Sequence, residues 1–241
     1  MPEKNGSGNF ASVRHLQREL DRLKQRILAL GATTEGRVQT ALRAVESLDE
    51  KSAKWIMDSD YEIDEMEVEI EEECLKLLAL YQPVAVDLRF IAVVIKINND
   101  LERIGDEAAN IAHRILEMTQ SNRGSTQEVF DAPAMGDKVL AMLQQSLDAL
   151  VHLDTNLANK ILQADQQVDA AYWAAFKAIT KAMTENPHQV NYWINLLLVA
   201  RHLERIADHA TNVAEEVIYL VKGEVVRHKG RKSADWKPMT E

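Results

Sequence analysis

The sequence predicts an all-α fold: two tandem, pseudo-symmetric three-helix bundles built from six long helices. Three observations carry this expectation. Glycine (9) and proline (5) are scarce in 241 residues and aromatics make up only 5%, so the chain has little of the punctuation that turns and short strands need. Apolar residues recur at helical spacing, as in Ile97, Leu101, Ile104, Ala108, Ile111 and Ile115. The chain also repeats itself. Between 42–64 and 147–169, Leu42, Ala44, Leu48, Asp49, Ala53, Ile56, Asp60 and Asp64 match Leu147, Ala149, Leu153, Asp154, Ala158, Ile161, Asp165 and Asp169. "LERIGDEAAN" at 101–110 returns as "LERIADHATN" at 203–212.

The elements follow in order. Residues 1–10 are polar and expected to be disordered. The first repeat, 11–119, holds helices at 11–47, 51–80 and 84–119. The second, 127–221, holds helices at 127–152, 155–184 and 189–221. Asp49 and Asp154 each follow a leucine and open a new helical pattern, as N-cap residues do. Pro83 and Pro187 fall near the start of each third helix, where a missing N–H costs little. The polar stretch "QSNRGSTQ" at 120–127 is the expected linker. Short loops between long helices imply antiparallel neighbours. The tail, 222–241, is expected to be loosely held.

Composition excludes several function classes. A formal charge of −10 argues against nucleic acid, whose binders need a basic face. A single cysteine, Cys74, permits no intrachain disulfide and sits on an apolar helical stripe, so it reads as a buried, inert thiol. The N-terminus has no apolar signal core, and the apolar run at 90–97 is broken by Lys96 and too short to span a bilayer. The expectation is a soluble cytoplasmic protein without direct membrane insertion. No Gly-rich phosphate loop or nucleophile–base set appears, so nothing supports catalysis. Trp55, Trp173 and Trp193 read as core or interface residues. His209 adjoins Asp208, but its counterpart is Glu107, which does not suit a symmetric ligand role.

The repeat singles out certain acids. Glu102 and Asp106 are four apart and share one helical face, roughly opposite Ile104. Such a face is ordinarily just a solvated surface with i,i+4 pairs. Between the copies, however, Glu107 becomes His209, Ala109 becomes Thr211, His113 becomes Glu215 and Arg114 becomes Glu216. Glu102, Arg103, Asp106 and Asn110 stay as Glu204, Arg205, Asp208 and Asn212. Equal counts from the turn at Pro83 also bring Asp64 level with Glu102 and Asp60 level with Asp106. Nearly equal counts from Pro187 do the same for Asp169 with Glu204 and Asp165 with Asp208. Each copy can then gather four carboxylates, which repel one another unless a cation sits among them. All-oxygen ligands suit Mg, Mn, Ca or Fe, and no Glu-x-x-His pair of the di-iron kind is present. The competing reading is that Arg103 and Arg205 neutralise the acids.

At these residues the sequence resembles the PhoU family of bacterial phosphate-signalling proteins. The resemblance rests on the doubled "LERIGD…N" and "LERIAD…N", on "QPVAVDLR", "MDSDYEIDEMEVEIEEEC" and "VIYLVKGEVVRH", and runs from about Glu19 to His228. One departure is Ala207, where the family motif usually has glycine. The resemblance implies clusters of a divalent or trivalent metal (Fe, Mn, Mg or Zn). These would be held by Glu102, Asp106 and Asn110 and by Glu204, Asp208 and Asn212, with Asp60, Asp64, Asp165 and Asp169 across each hairpin. It implies a non-enzymatic regulator linking the phosphate ABC transporter's ATPase subunit to a phosphate-sensing histidine kinase. Such a regulator represses the phosphate-starvation response, commonly as a homodimer, and lies at the inner membrane only through its partners. The alternative from another class is a helical-bundle metalloprotein that stores or oxidises metal.

Overall fold

A computed structural model describes residues 6–121 and 129–226, with side chains from Arg14 onward. The described residues form α1 (Gly6–Ser47), α2 (Glu50–Asp58), α3 (Tyr61–Tyr81), α4 (Ala85–Gln120), α5 (Ala132–His152), α6 (Thr155–Glu185) and α7 (Val190–Lys222), with one 3-10 turn at Pro187–Gln189 before α7. No strand is present among them. The first bundle is α1, the α2–α3 pair and α4; the second is α5, α6 and α7. The bundles meet along a seam of α4 on α7 and along a second contact of α1 on α5. None of the described helices is long and apolar enough to cross a membrane.

Both turns after the first helices repeat in detail. Leu48 and Leu153 lie in the left-handed region, at φ 49° and 52°. The next N–H, of Asp49 or Asp154, donates to the carbonyl of Ala44 or Ala149, both at 3.0 Å. Each aspartate then caps the new helix: Asp49 accepts from Lys51 N and Asp154 from Asn156 N and Leu157 N. The prolines lie at the turns before the third helices. Pro83 precedes α4 in the turn and Pro187 opens the 3-10 turn, so neither occupies the first turn of its long helix.

Helix two of the first repeat is not one helix. It breaks at Ser59–Asp60. Arg37, only 2% exposed, projects from α1 into this point. Its guanidinium donates to the Ile56 carbonyl (3.1 Å), to Ser59 Oγ and to Glu62 Oε2 (3.2 Å), and lies 4.6 Å from the exposed Trp55 ring. The Ile56 carbonyl is the one an unbroken helix would use at residue 60. In the second repeat Arg37 and Ser59 are replaced by Met142 and Ala164, and α6 runs on without a break.

The expected apolar stripe of α4, from Ile97 to Ile115, is fully buried, and Cys74 is buried with it. Trp193 is buried, whereas Trp55 and Trp173 are about half exposed (52% and 58%). The α1–α5 crossing depends on two glycines. A Cβ on Gly31 would lie 2.7 Å from Leu147 Cδ2, and one on Gly136 would lie 2.4 Å from Leu42 Cδ2. Gly31 and Gly136 are repeat equivalents, as are Leu42 and Leu147, so the crossing is one contact written twice about a pseudo-dyad. Boundaries differ from expectation mainly at the N-terminus, where α1 begins at Gly6 rather than 11, and at α5, which begins at Ala132 rather than 127. Most of the expected linker, residues 1–5 and the tail from 227 lie outside the described residues.

Candidate cation clusters

Burial of Leu101, Ile104 and Ala108 fixes the rotation of α4. Glu102 and Asp106 are then half-buried at its edge beside α3 rather than freely solvated. Asp64 meets them from α3. One carboxylate oxygen from each of Asp64, Glu102 and Asp106 lies within 4.8 Å of the others, the only such grouping among the described residues. Asp60 stands at the Ser59–Asp60 break. Burial pushes its carboxyl above the ordinary range, Asp64 and Asp106 push it further, and Arg37 opposes them. Burial likewise raises Glu102, helped by Asp106, Asp64 and Glu67 and opposed by Arg103. It raises Asp106 too, against the pull of Arg103 and with help from Asp64 and Glu107.

Glu67 is a neighbour that sequence reasoning missed. It lies one turn after Asp64, and burial followed by Glu71 and Asp64 raises its carboxyl. Asn98 donates to its carbonyl (2.8 Å) and to its Oε1 (3.3 Å). Its counterpart is Tyr172, so comparison of the copies passed over it.

The second cluster centres on Glu204. Burial pushes Glu204 up to about 7, with Asp208, Asp169 and Asp165 adding to it and Arg201 opposing. The other three expected acids therefore all act on Glu204, without the close three-oxygen grouping of the first cluster.

The arginines divide. Arg103 does what the ionic reading required: its Nε is 3.4 Å from Glu102 Oε2 and its Nη1 donates to Asp106 Oδ2 at 3.2 Å. Arg205 does not mirror it. Its Nε pairs instead with Glu107 Oε1, 2.9 Å away across the seam. The asparagines divide as well. Asn110 is exposed one turn beyond Asp106. Asn212 Nδ2 donates to Asp100 Oδ1 at 3.0 Å across the seam, which leaves its amide oxygen for a ligand role.

That seam corrects one sequence inference. The change of Glu107 to His209 read as drift, yet it is half of an exchange. His202 Nδ1 lies 2.6 Å from Glu107 Oε2, and His209 Nδ1 lies 2.9 Å from Asp100 Oδ1. Asp100 is the repeat equivalent of His202 and Glu107 of His209, so the two pairs are related by the pseudo-dyad, with α4 supplying both acids and α7 both histidines. Burial alone would raise Glu107, but His202 and Arg205 hold its carboxyl below the usual range. The signal was present as an acid–histidine swap at two positions seven residues apart, two turns along one face.

The departure at Ala207 is also accommodated. A Cβ on Gly105 would meet Ile63 Cδ1 at 2.9 Å. In the second copy the repeat equivalent of Ile63 is Val168, one methylene smaller, and Val168 and Ala207 are both buried.

The donor set fits a hard cation. It is all oxygen, its members raise one another's affinity for protons, and Glu102 Oε2 is buried without a hydrogen-bond donor. The profile of the PhoU domain matches residues 27–115 and 133–217, one match to each repeat. The chain belongs to the PhoU family. Among its relatives is the PhoU homolog of Pseudomonas aeruginosa, a phosphate-specific transport system accessory protein. It is 39% identical over 212 residues, which span 88% of this chain and 87% of that one. The Clostridium acetobutylicum PhoU homolog is 37% identical, over 86% of this chain and 94% of its own. The crystal structure of PhoU from P. aeruginosa superposes with a TM-score of 0.83 at 38% identity, covering 86% of this chain and 99% of that one. The phosphate transport system regulatory protein PhoU from Streptococcus pneumoniae superposes at 0.80 with 33% identity, covering 88% and 99%. PhoU architecture thus extends over both bundles and both clusters.

Proposed function

We propose that this chain is an accessory protein of phosphate-specific transport. It acts as a non-enzymatic adaptor between the phosphate ABC transporter's ATPase subunit and a phosphate-sensing histidine kinase. By binding one kinase state more tightly than the other, it holds the starvation response off while phosphate is plentiful. The observation that carries this is similarity along nearly the whole chain to relatives named as accessory proteins of that transport system. Glu102, Asp106, Asp60 and Asp64, and Glu204, Asp208, Asp165 and Asp169, hold metal cations in this reading. The cations neutralise the clusters and stiffen each hairpin, and the protein works as a homodimer. Pull-down from phosphate-replete cells tests the adaptor role: recovery of the ATPase subunit and the kinase supports it, and recovery of neither sinks it.

The carboxylate clusters by themselves also favour a second reading, metal storage or oxidation. Rapid Fe(II) oxidation by purified protein selects that reading; slow, stoichiometric cation binding without turnover selects the adaptor.

A further inference from the structure

The outer face of α3 is uncovered among the described residues. Tyr61, Glu65, Val68, Glu72, Leu75 and Ala79 fall three or four apart, on the side away from the buried Ile63, Ile70, Cys74 and Leu77, and all six are exposed. Apolar groups at 61, 68 and 75 thus alternate with acids at 65 and 72. Beyond this line the α3–α4 turn exposes Leu80, Val84 and Val86, at 66%, 73% and 60%. A run of apolar surface edged by charge marks a docking face. Its charge is one-sided, with eight acids and one lysine in α3. Ion pairs engage Glu62, Glu69 and Glu73, whereas Glu65 and Glu72 make none with a described residue. The fold does not require the pattern. The repeat equivalents on α6 are Gln166, Ala170, Trp173, Lys177, Thr180 and Thr184, without an acid.

The chain carries a segment of matching chemistry. α7 ends where Gly223 packs against the Arg89 guanidinium on the second turn of α4, so Val226 leaves the bundle at the α3–α4 end. Residues 227–241, outside the described residues, hold Arg227, Lys229, Arg231, Lys232 and Lys237 against Asp235 and Glu241, in a chain of net charge −10. Trp236 lies between Lys232 and Lys237. The ten residues from Val226 to Trp236 (236 − 226 = 10) span up to about 33 Å when extended. Crossing from α7 past α4 to α3 takes roughly 20 Å, and Leu75 lies roughly 9 Å along α3 from Tyr81. The tail is therefore long enough to reach the face it complements.

We propose that residues 227–241 fold back over the α3–α4 turn and dock on the outer face of α3. Trp236 seats between Val68 and Leu75, with Lys232 nearest Glu72 and Lys237 nearest Glu65. The docked tail closes this face to other basic partners until it is displaced. The test places p-benzoylphenylalanine at position 236 of the full chain and maps the photo-crosslink by mass spectrometry. The expected product has the mass of one chain, with the crosslink within 61–81. Glu65→Lys combined with Glu72→Lys lowers its yield severalfold. Adding Lys232→Glu and Lys237→Glu restores it, a rescue that damage to the fold would not permit. Salt at about 1 M, where the Debye length falls to about 3 Å, lowers the yield as well. Trypsin cleavage after Arg231 gives a second readout, and Val68→Ser combined with Leu75→Ser speeds it severalfold. A crosslink outside 61–81, a product of the mass of two chains, no rescue by the charge reversal, or equal cleavage rates overturns the proposal.

Discussion

Replacing Arg37 by alanine tests how the first cluster is assembled. The guanidinium is 2% exposed and donates to the Ile56 carbonyl, Ser59 Oγ and Glu62. Hydrogen bonds from a charged donor contribute about 1.5–3 kcal/mol, and a buried carbonyl left without its donor adds about 1 kcal/mol, so the loss is about 3 kcal/mol. Its ion pair adds little, because Glu62 is half exposed. For a domain of this size that loss lowers Tm by roughly 6–12 °C. The second repeat supplies the repair: Met142 and Ala164 stand where Arg37 and Ser59 do, and α6 is unbroken. Arg37→Met combined with Ser59→Ala therefore recovers more than half of the loss, by allowing α2 and α3 to join. Urea unfolding of wild type, Arg37→Ala and the double variant measures this. A change under about 0.5 kcal/mol for Arg37→Ala, or a double variant no more stable than the single, refutes the reasoning.

Two further predictions follow from the same geometry. In metal-free protein Glu204 titrates at about 7, against an ordinary 4.5. Its folded form binds the proton more tightly than the unfolded chain does, so its contribution falls as pH rises from about 4.5 to 7. The gap is worth about 3 kcal/mol in full and on the order of 1–2 kcal/mol after solvent screening. Glu204→Gln accordingly flattens stability between about pH 4.5 and 7, and an unchanged pH slope counts against the clustering. Gly105→Ala forces a methyl against Ile63 and costs about 1–2 kcal/mol. Adding Ile63→Val, the second copy's solution, returns most of it in thermal melts.

Much of the fold was legible because repetition is visible without any other sequence. The matched aspartates at 49 and 154 located both caps, and the stripe from Ile97 to Ile115 located the core. Equal counts from Pro83 placed Asp64 beside Glu102 because an antiparallel hairpin keeps register. Two things were not legible. The break at Ser59–Asp60 depends on a buried arginine from another helix, a tertiary contact that outweighs a sound helical pattern. The seam depends on acid–histidine and arginine–acid pairs between helices about 100 residues apart. A comparison that rewards sameness reads such complementary exchanges as noise. Such a comparison groups Arg205 with the cluster although it pairs with Glu107 across the seam, and it passes over the Glu107–His202 and Asp100–His209 pairs. The paired glycines, Gly31 and Gly136, were readable from the repeat but carried no chemistry to draw attention.

The central claim is that the acids held constant between the copies form two cation sites, one in each bundle. Metal analysis at saturating Mn2+ tests it most directly, on wild type beside Asp106→Ala and Asp208→Ala. The account predicts that each single variant loses about half of the bound metal and that the double variant retains almost none. Wild type that binds no metal and whose stability is unchanged by chelation would contradict it.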